Sequence, residues 1–255
     1  AGEYTGVSVL PWCAPGYFRF RLAQGWQHQA IGSVVRIERG SHRALGTPNE
    51  VNILALTRLV DDPTTPLSDI WDEFIETTYG VEPSPTSTTL AKILADTFPI
   101  RRKSHYALGI WALEKGSDIP DGLTFGQFFD RGRMPKFDED WTEVWESLRS
   151  PDLDTVRRLW QEGTEAVYLS NESIQWFETI ASSLSADDRA DLRRRLKHQS
   201  LAANAWRDVD LLLWSNRAKA SGVPNDLWNN WMSWAVKNLE AVRSGLIDSG
   251  LQDAA

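Results

Sequence analysis

The residues best placed for chemistry are Arg36 and Glu38, two positions apart in the run Ser33–Glu38 (SVVRIE). If that run is a strand, Val35 and Ile37 share one face while Val34, Arg36 and Glu38 share the other. An arginine and a glutamate side by side can read the hydroxyl or carboxylate of a polar ligand, or they can pair as structural charges. The sequence leaves both open. Trp12 closes a second run, Thr5–Trp12 (TGVSVLPW). It follows the parity of Gly6, Ser8 and Leu10 and is a candidate stacking platform. Asn49 opens the next helix and is a further candidate for ligand contact. Acid–base hydrolysis needs two carboxylates of different protonation state across the scissile bond. Glu38 and Glu50 form the one pair nominated here. Glu50 is better explained by helix capping, so no catalytic residue is assigned.

These residues need elements to hold them. Thr47-Pro48-Asn49-Glu50 is a T-x-x-E capping box with proline at the first helical position. It predicts a helix to about Val60, stopped by Asp61-Asp62-Pro63, and a second helix over Leu67–Tyr79 before Gly80. A buried strand at Ser33–Glu38, a polar loop at His42–Gly46 and a capped helix follow the order of one unit of a parallel α/β barrel. In a barrel, polar side chains at the C-terminal end of the inner strand face line the site, which is where Arg36, Glu38 and Trp12 would fall. A closed barrel needs eight such units and ~250 residues. The missing units therefore belong upstream or on another chain, and this chain reads as the C-terminal part of a larger protein.

The rest of the sequence is read as helical. Tyr17–Ala30 predicts a helix interrupted near Gly25. Val81–Thr86 (VEPSPT), with two prolines, is the best domain boundary. Helices are expected at 88–97 and 100–114, then a connector over 116–135 with a short helix around 125–130. Asp138-Glu139-Asp140 reads as a helix start. Three long helices follow: one opened by Ser150-Pro151 and reaching Ser182, one capped by Ser185 and stopped at Gly222, and one from Asn225 to Asp248. Leu192, Leu196, Ala203, Trp206, Val209 and Leu213 form the apolar stripe of the second. Trp228, Trp231, Ala235, Leu239, Val242 and Leu246 form that of the third. The expected fold is mainly α: the last βα units of a (β/α)8 barrel over residues 1–80, then an all-helical domain over 81–255 with an up-down-up three-helix bundle.

Composition narrows the function. A net charge of −8 and a pI near 5.1 argue against nucleic acid as partner. The basic runs Arg101-Arg102-Lys103 and Arg193-Arg194-Arg195 read as solvated helix faces. Cys13 is the only cysteine, and the four histidines show no metal-ligand spacing. No apolar run approaches a membrane span, and no dinucleotide, P-loop, nucleophile-elbow or zinc motif occurs, so neither membrane, metal nor cofactor is expected. No signal peptide is visible and the first residue is not Met, so localisation is left unassigned. The outlier is tryptophan, with 13 residues. Most sit at helical spacing and read as core, although tryptophan faces also serve as platforms for pyranose rings.

One segment is recognisable. Thr47–Gly80, with Asn52, Arg58-Leu59, Asp62-Pro63, Ser68–Ile75 and Tyr79-Gly80, resembles the end of the barrel in the α-glucuronidase family of glycoside hydrolases. Residues 31–40 stand where that family's last barrel strand would fall, and the helical remainder matches its layout in kind. The resemblance implies a glycosidase acting on a plant or algal polysaccharide or its oligosaccharides, with a carbohydrate as partner and catalytic carboxylates upstream of this chain. Separately, the helical domain is the expected place for a homodimer contact. The family's loop tryptophan, which packs against glucuronic acid, has no counterpart in Arg39–Gly46. Glycosidase ancestry is therefore better supported than glucuronate specificity. A non-catalytic helical module for carbohydrate binding or assembly is the competing expectation.

Overall fold

The computed structural model describes residues 10–32, 38–39, 42–111, 139–224 and 226–248. Among these the chain is mainly helical, in keeping with the sequence. The helices are α1 (Pro15–Gln27), α2 (Val51–Asp61), α3 (Leu67–Tyr79), α4 (Pro85–His105), α5 (Glu139–Arg149), α6 (Leu153–Ile180), α7 (Ala186–Ala220) and α8 (Trp228–Asp248). Two-residue strands pair antiparallel as β1 (Glu38–Arg39) with β2 (His42–Arg43), and β3 (Tyr106–Ala107) with β4 (Ile110–Trp111).

Local chemistry explains most boundaries. Pro15 stands in the first turn of α1, where a missing N–H costs no helical bond. A 3-10 turn, Pro48–Glu50, leads into α2, and the expected capping box is displaced within it. The Thr47 hydroxyl accepts the N–H of Asn49 at 3.3 Å rather than that of Glu50, while the Glu50 carboxylate accepts the N–H of Gly46 at 2.9 Å. Gly80 ends α3 in the left-handed region, φ 65°, which glycine adopts without a Cβ penalty. Asp152 caps α6 through the Thr155 N–H at 2.7 Å, and Ser185 caps α7 through that of Asp188 at 3.1 Å. Gly222, φ 81°, follows α7.

Several expectations change. Residues 5–9 and 33–37 lie outside the described residues, so the strand runs proposed there, with Arg36, are not described. The end of the first run, Leu10–Trp12, is irregular: Pro11 has no N–H, and the N–H of Trp12 is taken by a side chain. His42–Arg43, expected as loop, pairs antiparallel with Glu38–Arg39. One helix spans 85–105 through Pro99 where two were expected, with the proline removing one backbone donor from the ladder. Helix 100–114 is replaced after His105 by the β3–β4 hairpin. Its two-residue turn places Leu108 at φ 49° and Gly109 at φ 84°, the pair of positive angles that matches hairpin twist. The 116–135 connector, Asp138 and Asn225 lie outside the described residues.

The chain divides into two compact units, 1–99 with 170–199, and 100–169 with 200–255. Helices α4, α6 and α7 contribute to both, α4 dividing at Pro99. In the first unit, Val51, Ala55 and Leu59 of α2 pack with Ile70, Phe74 and Ile75 of α3, Leu90 and Leu94 of α4, Phe177 of α6 and Leu192 of α7. The 81–86 segment lies within this unit, and Val81 packs against its core. In the second, Trp206, Leu211 and Trp214 of α7 pack with Trp145 of α5, Val156 and Leu159 of α6, Trp228 and Ala235 of α8, and the hairpin residues Ala107 and Ile110. Full burial of a side chain of this size is worth ~1.5–3 kcal/mol.

Candidate functional site

Two places bear on function, one in each unit. In the first, Trp12 and Asn49 come together, but through scaffold chemistry. The Asn49 side chain accepts the N–H of Trp12 at 2.5 Å and donates to the Leu10 carbonyl at 3.4 Å. One helical turn on, Asn52 accepts the N–H of Ala14 at 2.7 Å and donates to the Trp12 carbonyl at 2.6 Å. The two amides thus replace the edge of a strand, satisfying alternate backbone groups of Leu10–Ala14. Both asparagines are fully buried, and Asn49 has no face turned to solvent. The indole of Trp12 lies 5.9 Å from Phe18, 6.1 Å from Phe98 and 6.4 Å from Tyr17, in a tilted aromatic cluster. The backbone of Glu38 pairs with Arg43, and Arg36 lies outside the described residues.

Cys13 sits buried beside these groups. Burial pushes its thiol up to about 12, against smaller lowering contributions from the Thr97 hydrogen bond and the Arg195 charge. The thiol donates to the Pro48 carbonyl at 3.2 Å.

In the second unit a groove of about 460 Å³ is lined, among the described residues, by Arg157, Trp160 and Gln161 of α6, Leu211 of α7, and Trp231 and Trp234 of α8. The positions 157, 160 and 161 fall on one helical face, as do 231 and 234. Leu211 is buried, and Trp160 and Trp234 keep 40% and 43% of their surface in solvent. Their rings meet edge to face, 6.5 Å between centroids and 78° between planes. Trp231 packs edge-on against buried Trp228, whose indole N–H donates to the Val223 carbonyl at 3.0 Å.

Trp234 is also held from a second side. The Arg207 guanidinium lies 5.2 Å from its ring centre and is itself fixed to Asp208 by two bonds of 2.7 and 3.0 Å. The stem of Arg207 runs against Gly163: a Cβ there would come within 2.9 Å of Arg207 Cβ and Cγ. No larger residue fits unless Arg207 shifts.

Buried acids also lie in this unit. Burial raises the Asp210 carboxyl well above the usual range, against a lowering hydrogen bond from Trp214, with the Glu162 charge raising it further. Glu162 is raised mainly by burial and accepts the N–H of Leu108 at 3.1 Å. Among the described residues no group of three or more metal-ligating side chains occurs, and no helix is long and apolar enough to cross a membrane. Sequence reasoning missed the groove. The sequence places Trp231 in a core stripe and sets neither Trp160 nor Trp234 apart. The available signal was Trp234, which falls off the stripe of Trp228, Ala235 and Val242.

Compared with known proteins, the chain matches no family model and no curated protein.

Proposed function

We propose that this chain is the C-terminal part of a carbohydrate-active glycoside hydrolase of α-glucuronidase-like ancestry, acting on a plant or algal polysaccharide or its oligosaccharides. In this reading residues 1–80 supply the last βα units of a (β/α)8 barrel. Residues 81–255 supply the helical remainder, with a three-helix bundle and the surface for any homodimer contact, part of it packing with α2 and α3 in the first unit. The catalytic carboxylates lie upstream, so the chain alone hydrolyses nothing. Arg36 and Glu38 line the substrate pocket with Trp12 nearby, and Asn49 positions Trp12.

The observation that carries the reading is the Thr47–Gly80 segment, whose recognisable residues each have a structural task. Leu59, Ile70, Phe74 and Ile75 are core, and Tyr79 packs against them. Arg58 ties α2 to α3 through a two-pronged pair with Glu73, one bond being 2.9 Å. Asp62 accepts both the N–H and the hydroxyl of Thr64 in the turn before α3. Gly80 provides the left-handed cap. These contacts are scaffold chemistry rather than catalytic chemistry, which is consistent with catalytic carboxylates lying upstream.

The second reading, a non-catalytic helical carbohydrate-binding module, is favoured by the tryptophan groove. Kinetics on glycoside substrates separates the two. In a protein carrying the upstream barrel units, Arg36→Ala and Glu38→Gln should each lower kcat/KM with the folded fraction unchanged. Robust turnover by the 255-residue chain alone would overturn the upstream assignment and make Glu38 with Glu50 the pair to test.

A further inference from the structure

We infer that the groove lined by Trp160, Trp231, Trp234, Arg157 and Gln161 is a saccharide-binding site of its own, taking a pyranose-containing glycan without cleaving it. The inference rests on the carbohydrate-directed reading above, not on catalysis.

Three features select this class of ligand. A groove of about 460 Å³ is within the ~300–1,000 Å³ typical of small-molecule sites, apolar with a few convergent polar groups. The exposed rings of Trp160 and Trp234 are inclined at 78°. Each ring keeps about two-fifths of its surface in solvent, apolar area that the C–H face of a pyranose can cover while its hydroxyls reach the polar rim. The charge is wrong for a cation, since the lining among the described residues contains Arg157 and no acid, and Arg207 already occupies a cation position over Trp234. Arg157 and Gln161 instead bring donors, and Gln161 an acceptor as well, that match hydroxyls or a carboxylate. Their present partners, Asp154 at 3.4 Å and Glu165 at 3.2 Å, are exposed contacts that a ligand displaces at small cost.

The fourth feature is preparation. Trp234 is held by Arg207, Arg207 is locked to Asp208, and the whole arrangement needs glycine at 163. A half-exposed indole with three supporting residues is pre-organised, which lowers the ordering cost of binding. Gly163 and Arg207 are positioning residues: they reach the ligand through Trp234.

The test is isothermal titration and affinity electrophoresis of the 255-residue chain with xylohexaose, cellohexaose and hexagalacturonate. At least one should bind with a dissociation constant below ~1 mM. Trp160→Ala and Trp234→Ala should each weaken that binding about tenfold or more, ~1.4 kcal/mol, with helical circular dichroism unchanged. Trp234→Phe, which keeps a flat ring, should lose less than Trp234→Ala. Gly163→Ala should weaken binding by a smaller factor without touching the groove, while Trp26→Ala, an exposed tryptophan of the first unit, should leave it unchanged. Absence of binding to all three probes would overturn the inference, as would binding that survives both alanine variants. So would self-association that Trp234→Ala abolishes in the absence of saccharide binding. Hydrolysis by a longer protein with an inert groove would remove this inference alone. Groove binding with no hydrolysis from that longer protein would remove the hydrolase reading alone.

Discussion

The Trp12 cluster of the first unit and the tryptophan groove of the second use the same residue types to opposite ends. Around Trp12, polar side chains are committed to backbone: Asn49 and Asn52 spend both halves of their amides on Leu10, Trp12 and Ala14. Around Trp234, the polar side chains on the rim make exposed, exchangeable contacts, and the committed pair, Arg207 with Asp208, lies behind the indole as its support. Tryptophan content alone therefore says little about ligand binding. What separates a platform from a packing residue is whether the ring keeps an open face and whether its polar neighbours are free to change partners.

The largest expected effect breaks the first side of that contrast. Asn49→Ala or Asn52→Ala leaves buried backbone groups of Leu10–Ala14 unpaired, at ~1–3 kcal/mol for each group. Urea unfolding should show a lower midpoint with an unchanged slope, and saccharide binding by the folded protein should not change. Loss of binding with stability intact would mean that Asn49 faces a ligand after all.

A smaller effect, of opposite sign, is expected in the second unit. Asp210 is raised by burial, so its folded pKa exceeds the unfolded value of ~3.9. Such a group binds its proton more tightly in the folded state. It costs no stability below the unfolded value, and stability is lost progressively as pH climbs from there through the folded value. Asp210→Asn should therefore raise the Tm at pH 7, with the gain vanishing towards pH 4. A variant less stable at both pH values would show that the carboxyl serves a needed contact.

The smallest effect concerns the residues that carry the family resemblance. Arg58 and Glu73 form a good two-pronged pair, but one largely in solvent, and Arg58→Ala should lower the denaturant midpoint only slightly. A larger loss would mark the pair as a keystone between α2 and α3.

Much of the helical framework was legible because its signals are local. The α2 start at Thr47-Pro48, the Gly80 stop, the Ser185 cap and the stripe of Trp228, Ala235, Val242 and Leu246 all follow from neighbouring residues. The hairpin after His105 was not, since YALGIW continues an apolar helical pattern and its turn puts a leucine at positive φ. That strain is offset by a partner 54 residues away, the Glu162 carboxylate accepting the Leu108 N–H. The asparagine clamps join residues 37 to 40 positions apart, which spacing cannot reveal. The groove was legible only in part: Trp234 falls off the apolar stripe of its helix, but its exposure and that of Trp160 depend on which faces of α6, α7 and α8 meet in the second unit.

The most direct measurement is a nitrogen-15 indole NMR titration of the intact chain with the tightest-binding of the three hexasaccharides. The indole N–H signals of Trp160 and Trp234 should move together and saturably, with Trp231 following and Trp12 and Trp71 still. Movement confined to Trp12, or no movement of Trp160 and Trp234 at saturating saccharide, would contradict the account and return the search for the ligand to the first unit.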